Sequence, residues 1–281
     1  MKLTATIICK NEEKFIERCL QSLAGVDEYV IVDTGSQDST VKIAEKYGKV
    51  YHYKWTDDFA TARNIASDKV KDGYFISCDA DEILETPIAD IRKQLEDMGD
   101  FNALTVKMKW DDNHSHNVPR VFKAGLRWTG KIHEYITCNP KPSDIVIKYE
   151  KSPTHDADPN RNLRILLTDT DNVRSQFYLA NEYWDKGHIE LALKWYLKYL
   201  RHGTWRYEIA DANLRVARCY WSMSRGDEAR QYCLQAILGN PNFSEALRFM
   251  GEISWEKEGE VWRKFATIST DENVLFVRSI K

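Results

Sequence analysis

The sequence predicts an α/β domain with a mostly parallel sheet and helices on both faces, followed by an all-α domain of helical repeats. In the first half of the chain, short apolar runs alternate with longer amphipathic stretches. Strands that alternate with helices in this way form parallel sheets through right-handed crossovers. After about residue 155, almost all of the chain reads as helical. We expect an α/β domain over 1–155, a linker over 156–172, helical repeats over 173–270 and a C-terminal tail over 271–281.

Each element follows from its local pattern. The apolar runs predict strands at 4–9, 28–33, 49–53 and 74–78, and then at 102–110, 118–123 and 145–149. An amphipathic helix follows the polar turn at Asn11, and two more are expected at 38–47 and 59–70. Asp38 or Ser39 would cap the helix at 38–47, since both side chains accept hydrogen bonds from free backbone N–H groups.

The fourth strand leads into an acidic turn, and the segment from Tyr74 to Leu84 reads YFISCDADEIL. Asp79 and Asp81 are alternate residues of an extended chain, so their carboxylates can face one point. A hard divalent cation binds such oxygens while taking its other ligands from phosphate and water. The segment therefore predicts a metal-diphosphate site, with a solvated acidic turn as the alternative.

Other polar residues also follow predicted strand ends. These are Asn11, Asp33 and Thr34. Ligands of open parallel sheets bind at the carboxyl ends of the strands. We therefore expect one pocket to hold these three residues together with Asp79 and Asp81.

Four segments in this order carry a family resemblance: TATIICKNEEKFIERCL at 4–20, YVIVDTGSQDST at 29–40, DFATARN at 58–64 and YFISCDADEIL at 74–84. A fifth, weaker segment is RVFKAGLRWTGKIHE at 120–134. Together they resemble the family 2 glycosyltransferases that use nucleoside diphosphate sugars, an inverting group with the GT-A fold. The resemblance implies a GT-A domain in the first 155 residues.

The resemblance also implies a donor site, made of Asn11, Glu12, Asp33, Thr34, Arg63, Asp79 and Asp81. Asp33 would bind the nucleoside, although Thr34 stands where many relatives have a second aspartate. Arg63 would meet the base or the diphosphate, with a helix-surface arginine as the alternative. Asp79 would contact ribose or metal, and Asp81 would bind the metal directly.

The implied cofactor is Mn²⁺ or Mg²⁺, because a cation stabilises the charge of the departing diphosphate. A third protein ligand would be His155, or else His133; an ordinary packed or surface histidine is the alternative for each.

An inverting enzyme also needs a general base on the acceptor side. Many relatives use a Glu-Asp pair that this chain lacks. Glu134, after His133, would be the base, with Asp111 and Asp112 as rivals and a capping or salt-bridged glutamate as the alternative.

Composition excludes several classes of function. The net charge is -3 and the pI about 6.2, so no basic field would attract nucleic acid or acidic lipid. No apolar run is long enough to span a bilayer, and the first one ends in Lys10 to Glu13 rather than at a cleavage site. The six cysteines show no CxxC spacing, which predicts reduced, packed thiols. We expect a cytoplasmic protein whose membrane attachment, if any, comes from a partner.

The second half contains a repeating pattern that resembles tetratricopeptide repeats. At a constant offset, Ala180, Tyr183, Ala192, Tyr196 and Tyr199 recur as Ala217, Tyr220, Ala229, Cys233 and Ala236, and Gly251 begins a third unit. So few repeats would be stabilised by docking on the α/β domain or by self-association into a homo-oligomer. Most of six tryptophans are expected in the core, with one or two lining a groove for an acceptor peptide: Trp184, Trp195, Trp205, Trp221, Trp255 and Trp262.

These observations favour a metal-dependent inverting transferase. It would move a hexose or N-acetylhexosamine from a UDP-sugar to a peptide or protein, and its helical tail resembles those of bacterial peptide glycosyltransferases. A glycan or lipid-linked acceptor is the alternative. A non-catalytic scaffold is disfavoured by the presence of Asp33, Arg63, Asp79 and Asp81. A haloacid-dehalogenase phosphatase is disfavoured because its nucleophile follows the first strand, whereas Asp79 and Asp81 follow the fourth predicted strand.

Overall fold

The chain forms two compact units, Met1–Pro159 and Asn160–Lys281. A computed structural model describes residues 1–99, 101–111, 114–150, 152 and 158–269. The expected tail at 271–281 lies outside the described residues. Within the expected linker, Arg161–Leu167 is helical and buries Ile165 and Leu166.

The first unit is an α/β domain, and the second is helical. The strands are β1 (Leu3–Cys9), β2 (Glu28–Asp33), β3 (Lys49–His52), β4 (Tyr74–Asp79), β5 (Glu82–Leu84), β6 (Ala103–Lys109), β7 (Ser115–Lys123) and β8 (Val146–Tyr149). The helices of the first unit are α1 (Ile16–Ser22), α2 (Thr40–Ala44), α3 (Phe59–Ser67) and α4 (Ile88–Asp97). Those of the second are α5 (Arg161–Leu167), α6 (Val173–Asp185), α7 (Ile189–Leu200), α8 (Arg206–Ser222), α9 (Gly226–Gly239), α10 (Ser244–Ile253) and α11 (Glu256–Ile268).

One mixed sheet holds all eight strands in the order β3-β2-β1-β4-β7-β6-β8-β5. The first four are parallel, β7 is antiparallel to β4 and to β6, and β5 is antiparallel to β8. Only the residues Ala80 and Asp81 separate β4 from β5, although β5 lies at the far edge. The sheet must therefore curl back on itself so that its edge strand returns beside β4.

Alternation along the strands explains why helices cover both faces of the sheet. Leu3, Ala5 and Ile7 belong to the core that contains residues of α1, α2 and α4. Val30 and Val32 of β2 instead pack with residues of α3 on the opposite face. This arrangement confirms the predicted fold class.

Element boundaries in the first unit agree with the sequence patterns to within a few residues, and two elements of that unit were not predicted. The helix expected at 38–47 is shorter, because only Thr40–Ala44 is helical. The unpredicted elements are β5 and α4, although α4 carries the helical spacing in its buried residues Ile88, Ile91 and Leu95. All six cysteines are free thiols and five of them are buried.

The second unit contains three helical hairpins, α6/α7, α8/α9 and α10/α11, as in tetratricopeptide repeats. The recurring small residues are buried, including Ala180, Ala192, Ala217 and Ala229. The third hairpin packs most tightly at Gly259, where an added Cβ would lie 2.6 Å from a backbone carbonyl oxygen of α10. Small residues therefore set the spacing of the paired helices, as the pattern predicts.

The prediction that most repeat tryptophans lie in the core was wrong. Trp205, Trp221 and Trp255 are exposed, Trp255 to 75%, and the other three are only partly buried. Tyr196 and Tyr199 fill the interior instead. Their hydroxyls donate to Asn181 Oδ1 and Glu208 Oε2, so a tyrosine can be buried here without losing a hydrogen bond. In the described part of the chain, no helix is both long and apolar enough to cross a membrane.

Candidate functional site

The strand ends meet at one edge of the sheet. Cys9 is in register with Asp33, which is in register with His52, and Ile8 is in register with Asp79. The residues just beyond β1, β2 and β4 therefore share this edge, as parallel pairing requires.

The loop after β2 is organised by Asp33. This carboxylate is 3% exposed and accepts hydrogen bonds from the backbone N–H groups of Gly35 and Ser36, at 3.1 Å each. His52 Nδ1 lies 3.5 Å from Asp33 Oδ2. The Thr34 hydroxyl donates to the carbonyl of Cys9, which ties the loop to β1. Asp33 and Thr34 thus fix the shape of the loop where a nucleoside is expected.

The loop after β1 is joined to the same structure. Asn11 lies in the left-handed region with a φ of 56°, which asparagine tolerates well. Its N–H donates to Ser36 Oγ, and its Oδ1 accepts from the N–H of Gln37. Glu12 is buried, and its N–H donates to Thr40 Oγ1. Four predicted donor residues, from Asn11 to Thr34, therefore belong to one loop cluster.

Arg63 links β4 to the acceptor-side loop. The residue is 7% exposed, so the helix-surface alternative was wrong. Its Nη2 donates to Asp79 Oδ1 at 2.6 Å and its Nε to Glu134 Oε1 at 2.5 Å. Burial opposes the charge of the guanidinium, but the two carboxylates outweigh that effect and raise the pKa of Arg63. Arg63 therefore stays charged and holds Asp79 and Glu134 on either side of itself.

Local contacts explain how α3 presents Arg63. Asp58 caps the helix by accepting from the N–H of Thr61. Asn64 then makes a two-point contact with the backbone of Trp128, whose indole ring lies 5.2 Å from the Arg63 guanidinium carbon. The helix and the loop that carries Glu134 are consequently held together by hydrogen bonds and by a cation–π contact.

A second arginine reaches Asp79 from β7. Arg120 Nη2 donates to Glu82 Oε1 at 2.6 Å and lies 3.5 Å from Asp79 Oδ2. Glu82 is 2% exposed, and its Oε2 accepts from the N–H of Asp79 at 2.9 Å. Burial raises the pKa of Glu82, and the charge of Arg120 only partly offsets this. Neither Arg120 nor Glu82 was predicted from the sequence as a site residue, although each lies within a segment that carried the family resemblance.

Asp81 is not part of a solvated turn, because its side chain is 4% exposed. Its Oδ2 accepts from the N–H of Ser152, and its carbonyl accepts from the N–H of Glu150. Tyr149 lies in the same region, where burial and the charges of Asp81 and Asp79 raise its pKa. The chain just after β8 thus packs against the acidic turn.

Only some of the remaining predicted metal ligands and general bases lie among the described residues. His155 and Asp112 lie outside the described residues. His133 adopts a left-handed backbone with a φ of 53°. Asp111 accepts from the backbone and ring of His114 in the β6–β7 turn, whereas Glu134 contacts Arg63. Among the described residues, no three side chains of the types His, Cys, Asp and Glu form a cluster that could hold a metal.

Comparisons with known proteins agree with this architecture. Residues 4–141 match the sequence profile described as Glycosyl transferase family 2. A TPR repeat-containing protein of Synechococcus elongatus is 32% identical, over 48% of this chain and 35% of that protein. LpsC of Rhizobium meliloti, a lipopolysaccharide core biosynthesis glycosyltransferase, is 30% identical over 34% of this chain and 37% of its own. These matches thus span about a third of the length of each of the two relatives.

Among the solved structures to which this chain is similar is a fragment of TarS from S. aureus in complex with UDP-GlcNAc. It has a TM-score of 0.46 and 15% identity, covering 95% of this chain and 88% of the fragment. The sequence profile covers the strands and loops that bring Asp33, Asp79 and Glu134 together, up to residue 141. Residues 4–141 of this chain are therefore a glycosyl transferase family 2 domain, followed along the chain by a unit of helical repeats.

Proposed function

We propose that this chain is a metal-dependent inverting glycosyltransferase that moves a hexose or N-acetylhexosamine from a UDP-sugar to a peptide or protein. One observation carries the proposal: Arg63 joins a carboxylate of the acidic turn, Asp79, to a carboxylate of the acceptor-side loop, Glu134. One side chain thereby contacts both the donor side and the acceptor side of the proposed transfer site.

The donor would lie along the edge formed by the loops after β1, β2 and β4. Asp33 is buried with its carboxylate turned into the loop, an arrangement that suits a rigid nucleoside pocket. Asp79 Oδ1 and Oδ2 face Arg63 and Arg120. Two guanidinium partners leave this carboxylate less suited to a cation than to hydrogen bonds from a ribose hydroxyl. We therefore favour the ribose role for Asp79.

Asp81 fits a Mn²⁺ or Mg²⁺ ion best. It is a buried carboxylate two residues beyond Asp79, and its Oδ2 accepts from the backbone N–H of Ser152. A cation bound mainly through substrate phosphate needs only one or two protein oxygens. His155 follows Ser152 by three residues in the sequence, and Ser152 contacts Asp81, which supports His155 over His133 as a further ligand. When bound, the cation would stabilise charge on the departing diphosphate.

Glu134 would take the proton from the attacking acceptor. Its carboxylate is oriented by Arg63 and is 11% exposed, so the base would be fixed before the acceptor arrives. The nucleophile would attack the anomeric carbon from the side opposite the diphosphate, and the product would have the inverted configuration. Asp111 is the less favoured base, because its contacts are with His114.

The helical unit would bind the acceptor. Exposed tryptophans such as Trp221 give it apolar surface. A surface pocket of about 490 Å³ is lined by Leu197, Leu200, Arg201, Ile209, Asn213 and Tyr232. Aliphatic side chains beside Arg201, Asn213 and Tyr232 would suit an extended peptide, which presents both apolar side chains and backbone polar groups.

A thermal-shift screen tests the donor assignment. The full chain would be heated with UDP-, GDP-, dTDP- and CDP-sugars, each with and without Mn²⁺, because a ligand that binds only the native state raises its melting temperature. We expect the largest shift for a UDP-sugar in the presence of metal. Equal shifts for all nucleotides without dependence on metal, or no shift at all, would favour the scaffold alternative.

The acceptor class needs a separate assay. Transfer of radiolabelled sugar would be compared between peptides containing Ser, Thr or Cys and a set of oligosaccharides. An Ile209→Lys variant should lose transfer to peptide while its slow hydrolysis of the donor is unchanged. Labelling of oligosaccharides alone would establish the glycan alternative.

A further inference from the structure

Arg120 is located at an irregularity of the sheet. In the β6–β7 ladder, Leu104 pairs with Val121, but the next residue, Thr105, pairs with Pro119. Arg120 is therefore the extra residue of a β-bulge. Bulges next to active sites commonly redirect a side chain that a regular strand would point elsewhere.

The bulge coincides with the end of the β4–β7 ladder. That ladder stops at the pair Ile76 and Val121, so the last residues of β4 lie beyond its final backbone pair with β7. Arg120 follows immediately and sends its guanidinium to Asp79 and Glu82. Glu82 in turn accepts the N–H of Asp79, which closes a ring of three residues around the start of the acidic turn.

This placement is costly for Arg120. Its side chain is 14% exposed, and its Nε is buried without a hydrogen-bond acceptor in the described part of the chain. Such a buried donor costs free energy, as does the burial of the charge itself. A regular strand with an apolar residue would avoid both costs. The contacts of Arg120 with Asp79 and Glu82 therefore account for its position in the strand.

We propose that Arg120 and Glu82 are positioning residues that hold Asp79 in the orientation that binds the donor nucleotide. Glu82 fixes the backbone of Asp79 by accepting from its N–H, and Arg120 contacts carboxylate oxygen Oδ2 while Arg63 contacts Oδ1. The inference rests on the proposed function, because it assumes that Asp79 contacts the donor.

A double-mutant cycle on the full chain tests the inference, with UDP and Mn²⁺ as the probe and isothermal titration calorimetry as the measurement. We expect Arg120→Lys, which keeps the charge but loses the planar fork, to raise the Kd by about tenfold, the scale of one charged hydrogen bond. Asp79→Asn should raise it at least as much. Since Arg120 acts through Asp79, the double variant should bind no more weakly than Asp79→Asn alone.

The control variants distinguish the loss of Asp79 positioning from a general loss of stability. Glu208→Gln changes a buried, arginine-paired glutamate of the helical unit and should leave the Kd unchanged. Glu82→Gln replaces Arg120→Lys in the cycle if the lysine variant does not fold. Additive effects, an unchanged Kd in Arg120→Lys, or failure of both variants to fold would each overturn the inference. A parent protein that binds no nucleotide, or an Asp79→Asn variant with the parent Kd, would instead overturn the proposed donor site.

Discussion

Replacing Arg63 by methionine should destabilise the first unit severely. The guanidinium is buried and joins two carboxylates, Asp79 at 2.6 Å and Glu134 at 2.5 Å. Methionine fills much of the same volume but has no charge. Glu134 would then be left nearly buried without its partner.

The size of the effect follows from these contacts. Removing one partner of a buried ion pair costs about 3–5 kcal/mol, because the remaining charge is left uncompensated. Asp79 keeps Arg120 as a neighbour and is more exposed than Glu134, so most of the loss comes from Glu134. We therefore expect Arg63→Met to lower the free energy of unfolding by about 3–5 kcal/mol. Arg63→Lys should lose about half as much, since one charged hydrogen bond is worth about 1.5–3 kcal/mol.

Urea unfolding followed by circular dichroism measures these differences in the full chain. Arg127→Met is the matched control, because Arg127 pairs with Asp68 on the surface of the same unit. An exposed pair contributes about 0–1 kcal/mol. If Arg63→Met were no more destabilising than Arg127→Met, the buried network would not hold the site together, and the reasoning from burial would be refuted.

Four further predictions follow from other parts of the molecule. Asp81→Asn should abolish the Mn²⁺-dependent part of the nucleotide thermal shift while the protein stays folded; a full metal response in that variant would contradict the assignment. Glu134→Gln should lower transfer to a hydroxyl acceptor by about 10²-fold or more at unchanged donor affinity, and an α-linked donor should give a β-linked product by NMR; near-normal rates would move the base to Asp111. Burial and, to a smaller degree, Arg120 lower the pKa of His116 from 6.5 to about 4, so stability should fall as the pH drops from 6.5 towards 4, and His116→Gln should reduce that fall in urea titrations. Gly259→Ala should lower stability by about 1–3 kcal/mol through overpacking, despite alanine's better helix propensity; equal stability would show that the α10/α11 hairpin can spread.

The acidic turn could be predicted from the sequence because its signal is local. An apolar run followed by Asp79 and Asp81 indicates a strand end, and the alternation of strands and helices indicates which edge of the sheet that end joins. The ion pairs of Arg63 could not be read in the same way. Arg63 and Glu134 are 71 residues apart, and their contact depends on how α3 packs against the loop at Trp128.

Arg120 shows a different limit. Alternation along β7 does not distinguish Arg120, which reaches Glu82 and Asp79, from Phe122, which packs in the apolar core. The bulge at Arg120 is an irregularity of strand pairing, and period-two patterns carry no information on it. The prediction for the repeat tryptophans was wrong for a related reason. Hydrophobicity shows which residues can be buried, but it does not show which aromatic residues find hydrogen-bond partners in the interior, as Tyr196 and Tyr199 do.

The curl of the sheet bears on when the site can form during folding. β4 and β5 are adjacent in sequence, but among the described strands β5 pairs with β8, and Asp81 accepts a hydrogen bond from Ser152. A nascent chain that ends at residue 141, where the family match stops, has every strand of the parallel core yet lacks β8. In such a chain β5, which follows the acidic turn, has no β8 with which to pair. Asp81 would therefore be fixed late in synthesis, after most of the first unit has left the ribosome, because that contact requires a long loop to close.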